Sequence, residues 1–148
     1  MIRSVLDLKT INRHTVMVLL ILLALGTGLL ASNAISAAPQ SGTSYQFSTP
    51  IKAAHWMSNM PSSGDVLSSV PSQVKIEADF NMGPGNFISI SKDGKEYGLG
   101  DTVLSSDKLS VTRRMDTNAP NGLYTVDYEL CWPDGTCHLG QYQFAIQK

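Results

Sequence analysis

Three separate stretches of the chain alternate apolar and polar residues with a period of two, strictly so in the first, and this pattern limits the fold more than anything else in the sequence. Residues 73–80 read QVKIEADF, which sets Val74, Ile76, Ala78 and Phe80 on one side and Lys75, Glu77 and Asp79 on the other. Residues 123–131 read LYTVDYELC, with Tyr124, Val126, Tyr128 and Leu130 sharing a face. Residues 141–146 read QYQFAI and align Tyr142, Phe144 and Ile146. Successive side chains of a strand point to opposite faces, so such runs are half-buried β-strands and cannot bury a helical stripe.

Turn chemistry separates these runs from others. Residues 81–85 (NMGPG) break the first strand, and residues 86–91 (NFISIS) form another, with Phe87 opposed to Ile88 and Ile90. Asp93-Gly94 supplies the positive φ of a tight hairpin, so residues 95–99 are expected to return as a strand. Residues 108–113 are expected as a further strand with Leu109 and Val111 inward, and Pro120-Asn121-Gly122 turns the chain again. Short strands with turns every 8–12 residues predict an all-β sandwich or barrel. Outside the N-terminal segment no run of ten residues carries a helical period.

Residues 16–31 (VMVLLILLALGTGLLA) hold no charge; Arg3, Lys9 and Arg13 precede them, and Ser36-Ala37-Ala38 follow. That is the order of a secretory signal peptide, cut after Ala38 or after Ala37. An uncleaved membrane anchor is the alternative, although a spanning helix needs ~20 apolar residues. Under either reading residues 1–38 deliver the rest outside the cytoplasm, and any membrane contact is through this segment if it stays uncleaved. Residues 39–54, rich in Ser, Thr, Pro and Gln at first, read as a linker or loosely attached arm, and 55–148 as the folded domain.

Charge narrows the function. The chain of 148 residues carries 11 basic and 12 acidic side chains, a net of −1. After residue 38 the count is eight against eleven, a net of −3. A mildly acidic domain has no electrostatic attraction to phosphates, so nucleic acid is excluded as a partner. No serine sits in a His/Asp arrangement for nucleophilic catalysis, and Gly94, Gly98 and Gly100 precede no helix, so neither a hydrolase nor a phosphate loop is expected.

Cys131 and Cys137 are the two cysteines, both in the exported part. An even count in an oxidising compartment reads as a disulfide; a thiol metal site is the alternative if the pair is kept reduced.

In order along the chain, His55, Pro61-Ser62-Ser63-Gly64-Asp65-Val66-Leu67, Val70-Pro71-Ser72-Gln73-Val74, Phe80, Gly122-Leu123-Tyr124-Thr125-Val126, Asp134-Gly135 and Gly140-Gln141-Tyr142-Gln143-Phe144 form a distributed pattern. This pattern resembles the CopC family of exported copper-binding, copper-resistance domains over residues 55–147. The resemblance implies an Ig-like Greek-key β-sandwich of about seven strands. It also implies copper carriage outside the cytoplasm, in the periplasm or an equivalent space, without catalysis, and a membrane copper transporter as a further partner. The family's Cu(II) site uses a mature N-terminal His, through amine and imidazole, with an Asp and a His from an Asp-Gly-His loop.

Carried over by motif, the metal ligands are His55 and Asp134. Thr136 stands where the family has its loop His, and the nearest imidazole is His138. His55 also lies about 16 residues beyond the expected cut. Imidazole and carboxylate suit Cu(II) better than Cu(I). Met57, Met60, Met82 and Met115 are scattered, unlike the family's Met-rich Cu(I) loop. Competing readings are simple. A lone His is commonly a surface residue, and Asp134 in Pro-Asp-Gly-Thr is explained by turn chemistry alone. The function from another class is an Ig-like structural or interaction module that has lost the metal.

Overall fold

The computed structural model describes residues 43–148. The expected signal or anchor segment, residues 1–38, lies outside the described residues. Nine strands follow one another: β1 (Trp56–Met60), β2 (Val66–Leu67), β3 (Gln73–Ala78), β4 (Phe87–Lys92), β5 (Lys95–Glu96), β6 (Gly98–Leu104), β7 (Ser110–Met115), β8 (Gly122–Cys131) and β9 (Cys137–Ile146). Seven have five residues or more; β2 and β5 have two each. The strands make two sheets, ordered β1-β3-β7-β6 and β2-β9-β8-β4-β5. All pairings are antiparallel except β2 with β9. The described part is the expected all-β sandwich.

The alternating runs face each other across it. Val74 and Ile76 of β3 and Val111 of β7 oppose Ile88, Ile90, Tyr124, Val126, Leu130, Phe144 and Ile146 of the second sheet, all without solvent exposure. Tyr124 stacks on Phe144 at 5.5 Å and donates its hydroxyl to Pro120 O at 2.6 Å, which ties the start of β8 to the preceding turn. Its buried phenol is pushed up to about 12 by desolvation.

Two expected core residues are outside it. Phe80 continues the alternation in sequence but is 47 % exposed, because β3 ends at Ala78. There the Asp79 N–H turns to His55 O at 3.0 Å and carries Phe80 out of the sandwich. Leu109 is 38 % exposed; it precedes β7, next to Lys108, whose φ of 61° bends the chain.

The Asp93-Gly94 hairpin forms with both residues at positive φ, but its return strand is short. Glu96 Oε1 accepts from Ile90 N at 3.0 Å and Gly98 N at 2.8 Å. The side chain thereby takes the donor that the ladder would have used. The chain then crosses to the other sheet as β6 instead of extending the hairpin to Leu99.

The segment before β1 runs along the β9 edge on the side of β2. Ile51 and Gln141 exchange two backbone hydrogen bonds of 2.8 Å, Ser48 bonds Gln143 Oε1 at 2.9 Å, and Ala53 is buried. Tyr128 reaches across to this segment. Its hydroxyl donates to Ile51 O at 3.3 Å and accepts from Ala53 N at 3.4 Å. These contacts deliver the chain to His55.

Candidate metal centre

His55 sits at the bend entering β1, with φ of 58°. Left-handed backbone is uncommon for a residue with a side chain, though less so for His than for most. Two features hold it there: the Asp79 N–H to His55 O bond just described, and a register shift between Trp56 and Ser58 where β1 pairs with β3. A bulge of this kind re-aims a side chain. The imidazole stacks on Phe80 with centroids 5.0 Å apart and meets the edge of Trp132 at 5.1 Å. Its Nδ1 lies 2.9 Å from Asp79 Oδ1.

The facing wall is the β8–β9 connection. Cys131 and Cys137 are directly opposed in the ladder and form a disulfide, with Cα atoms 4.0 Å apart. This spacing lies just under the usual ~4.4–6.8 Å. The Cys131 backbone bonds elsewhere: its N–H goes to Asn86 Oδ1 and its carbonyl accepts from Gly83 N. The pair is therefore a non-hydrogen-bonded one, where opposed strands approach most closely. Above the disulfide, Trp132 N–H bonds Thr136 O at 2.8 Å and Gly135 N–H bonds Trp132 O at 3.0 Å, closing a tight loop.

Within that loop Asp134 Oδ1 accepts from Thr136 N at 2.9 Å and from Thr136 Oγ1 at 2.8 Å. The Thr136 backbone N–H, with its hydroxyl second, holds the Asp134 carboxyl below the usual carboxylate range. The carboxylate's other oxygen, Oδ2, takes no part in this turn. His138 is the second residue of β9, exposed, with its ring 6.5 Å from that of Trp132.

His55, Asp134 and His138 thus border one open cleft of about 430 Å³, together with Phe80, Trp132 and Thr136. They come from opposite ends of the domain, and the sandwich brings them to one place. Their ligand atoms are not gathered to coordination distance. Among the described residues, the one group of three potential ligands within 4.8 Å of one another is Glu129, Cys131 and Cys137, and its two sulfurs are joined to each other. A metal in the cleft would have to draw His138 and Asp134, both exposed, toward the His55 ring. The donors themselves are suitable: two imidazoles and carboxylate oxygens are a Cu(II) set, and Asp79 and Asp134 make the cleft favourable to a cation.

Among the described residues, the methionines are not part of it. Met82 and Met115 are buried in the core, and Met57 and Met60 are exposed on β1. Sequence reasoning missed Asp79 and the stacking of Phe80 on His55; Trp132, with Trp56, was expected near the site, with core or rim packing as the alternative. Asp79 occupied the polar side of an alternating strand, where a solvated carboxylate is the ordinary reading. Phe80 read as a buried residue of that same strand.

The sequence pattern of the CopC domain matches residues 56–147, more than half the chain. By structure the chain is similar to CopC from Methylosinus trichosporium OB3b, with a TM-score of 0.57 and 23% identity, covering 65% of this chain and 94% of that one. It is also similar to PcoC, a methionine rich copper resistance protein from Escherichia coli, with a TM-score of 0.53 and 17% identity, covering 68% of this chain and all of that one. No curated protein matches it in sequence. At such identities the two structures speak to the sandwich fold. The sequence match over residues 56–147 speaks to ancestry, and by it the chain belongs to the CopC domain family.

Proposed function

We propose that this protein is an exported copper-binding protein that carries Cu(II) outside the cytoplasm, as part of copper resistance and without catalysing a reaction. The ion is held in the cleft by the imidazoles of His55 and His138, with Asp134 Oδ2 as a third donor. The observation that carries this reading is that His55, Asp134 and His138, far apart in sequence, line a single cleft. The opening of the cleft to solvent suits a carrier, since a partner can approach a bound ion; a membrane copper transporter is that partner. The N-terminal segment places the domain in the periplasm or an equivalent space, either free or tethered.

His55 sits inside the chain, so it brings no free amine. Affinity is therefore lower than for a family member that begins with its His. A metal-free interaction module is the second reading. It is favoured by Thr136 at the place of the family's loop His and by the bonds that hold Asp134 Oδ1 in its turn. A Cu(II) competition titration of the exported protein, beside His55→Ala and His138→Ala, separates the two. One Cu(II) bound by the parent, and weaker binding by each variant, is the expected result. Equal binding by all three rejects the site, and no binding by the parent favours the interaction module.

A further inference from the structure

The proposed ligand His55 has a neighbour that decides which of its ring nitrogens faces the cleft. A neutral imidazole carries one proton, and the hydrogen bond made by one nitrogen sets which nitrogen is left with a lone pair. An ionised carboxylate only accepts hydrogen bonds. With Asp79 Oδ1 at 2.9 Å, the contact is a hydrogen bond to an ionised carboxylate only when His55 Nδ1 carries the proton. We propose that Asp79 is a positioning residue that keeps the His55 proton on Nδ1, so that His55 meets copper through Nε2 alone. This inference rests on the copper role proposed above.

An exposed His–Asp contact by itself would be a weak, mobile pair. Three further contacts make this one a fixed joint. The Asp79 N–H also bonds His55 O at 3.0 Å, so the two residues are joined through backbone as well as side chain. Phe80, next in sequence to Asp79, stacks on the His55 ring, and Trp132 closes its edge. The left-handed backbone at His55 aims the ring between them. Turning the ring over would replace the Nδ1–H facing Asp79 by a carbon.

The consequence is a different grip from the one implied by the CopC pattern. Chelation by a histidine's own backbone nitrogen and its ring closes through Nδ1, because Nε2 lies on the far side of the imidazole. Here Nδ1 is taken by Asp79 and the backbone nitrogen is a peptide amide. Both halves of that chelate are gone, and a single attachment through Nε2 remains. A carboxylate behind a ligating imidazole orients the ring and raises its basicity, and removing such a partner commonly costs 10–100-fold in metal affinity.

The test is the tautomer of His55 in the metal-free protein, read from two-bond 1H–15N correlations at about pH 8, above the ordinary histidine range. The wild type should show the Nδ1–H form. Asp79→Ala should move the proton toward Nε2, whereas Asp79→Asn, whose amide oxygen still accepts, should keep it on Nδ1. With Cu(II), Asp79→Ala should bind about 10–100-fold more weakly and Asp79→Asn should stay close to wild type. An Nε2–H tautomer in the wild type, or a tautomer and affinity untouched by Asp79→Ala, overturns the assignment. A wild type that binds no copper overturns Nε2 ligation together with the proposed function. The tautomer measured without metal tells that failure apart from a failure of Asp79 to hold the ring.

Discussion

Gly140→Ala should destabilise the domain and weaken the cleft, although Gly140 lies in a regular strand where alanine is normally the better residue. Gly140 faces Tyr128 directly in the β8–β9 ladder. Its φ lies outside the left-handed range, so backbone freedom is not the reason for a glycine. In an ordinary strand the change to alanine gains roughly 0.5–1 kcal/mol from chain entropy. Here the phenol end of the Tyr128 ring occupies the space a side chain would take. A Cβ at residue 140 would come within 2.1 Å of Tyr128 Cζ and 2.3 Å of its hydroxyl. The ring would have to retreat by more than an ångström, yet it is 2 % exposed and packed against Tyr142. Overpacking of this kind costs about 1–3 kcal/mol. The displaced hydroxyl also loses Ile51 O and Ala53 N, worth about 1 kcal/mol together with such long bonds.

The net expectation is a loss of roughly 1–3.5 kcal/mol, a sizeable part of a domain stability of about 5–15 kcal/mol. Because Tyr128 tethers the segment leading to His55, Cu(II) affinity should fall with it. Urea unfolding followed by tryptophan fluorescence measures the first effect and competition titration the second. A Gly140→Ala protein as stable as wild type, or more stable, would refute the steric argument.

Replacing both Cys131 and Cys137 by Ser should cost roughly 2 kcal/mol, the loop-closure value for a ring this short; equal urea midpoints for the variant and the oxidised wild type would contradict it. Phe144→Ala should cost about 3–5 kcal/mol. Phe80→Ala should stay within about 0.5 kcal/mol of wild type while weakening Cu(II) binding through the unsupported His55 ring. Similar stability losses for the two would show that Phe80 is a core residue after all. Alkaline pH should also unfold the domain. Burial raises the phenols of Tyr124, Tyr128 and Tyr142, Tyr124 to about 12. A group whose folded value is raised contributes stability that is complete below the unfolded value of ~10 and is lost as pH climbs through the folded one. Urea midpoints should hold to about pH 10 and fall between about pH 10 and 12, and a flat profile across that window would count against buried, protonated tyrosines.

The strands that could be read from the sequence are those with one buried face. β3, β8 and β9 carry the alternation because the sandwich core lies on one side of each. β1, β2 and β6 carried none. β1 is an edge strand with a register shift, β2 has two residues, and β6 is mostly exposed and shifts register between Leu99 and Val103. Phe80 and Leu109 follow the period in sequence but lie just beyond strand ends, where backbone bonds and not hydrophobicity decide direction. The candidate ligands His55, Asp134 and His138 were visible through family order, since no local pattern joins residues so far apart. The role of Asp79 was not legible because it depends on a side-chain contact with a residue 24 positions earlier.

Copper-edge anomalous diffraction from crystals grown with Cu(II) would locate the ion itself. One strong peak is expected in the cleft, bonded to His55 Nε2 and to His138, with Asp134 beside it. A peak elsewhere, such as at the exposed Met57 and Met60, or no bound copper at all, would contradict it.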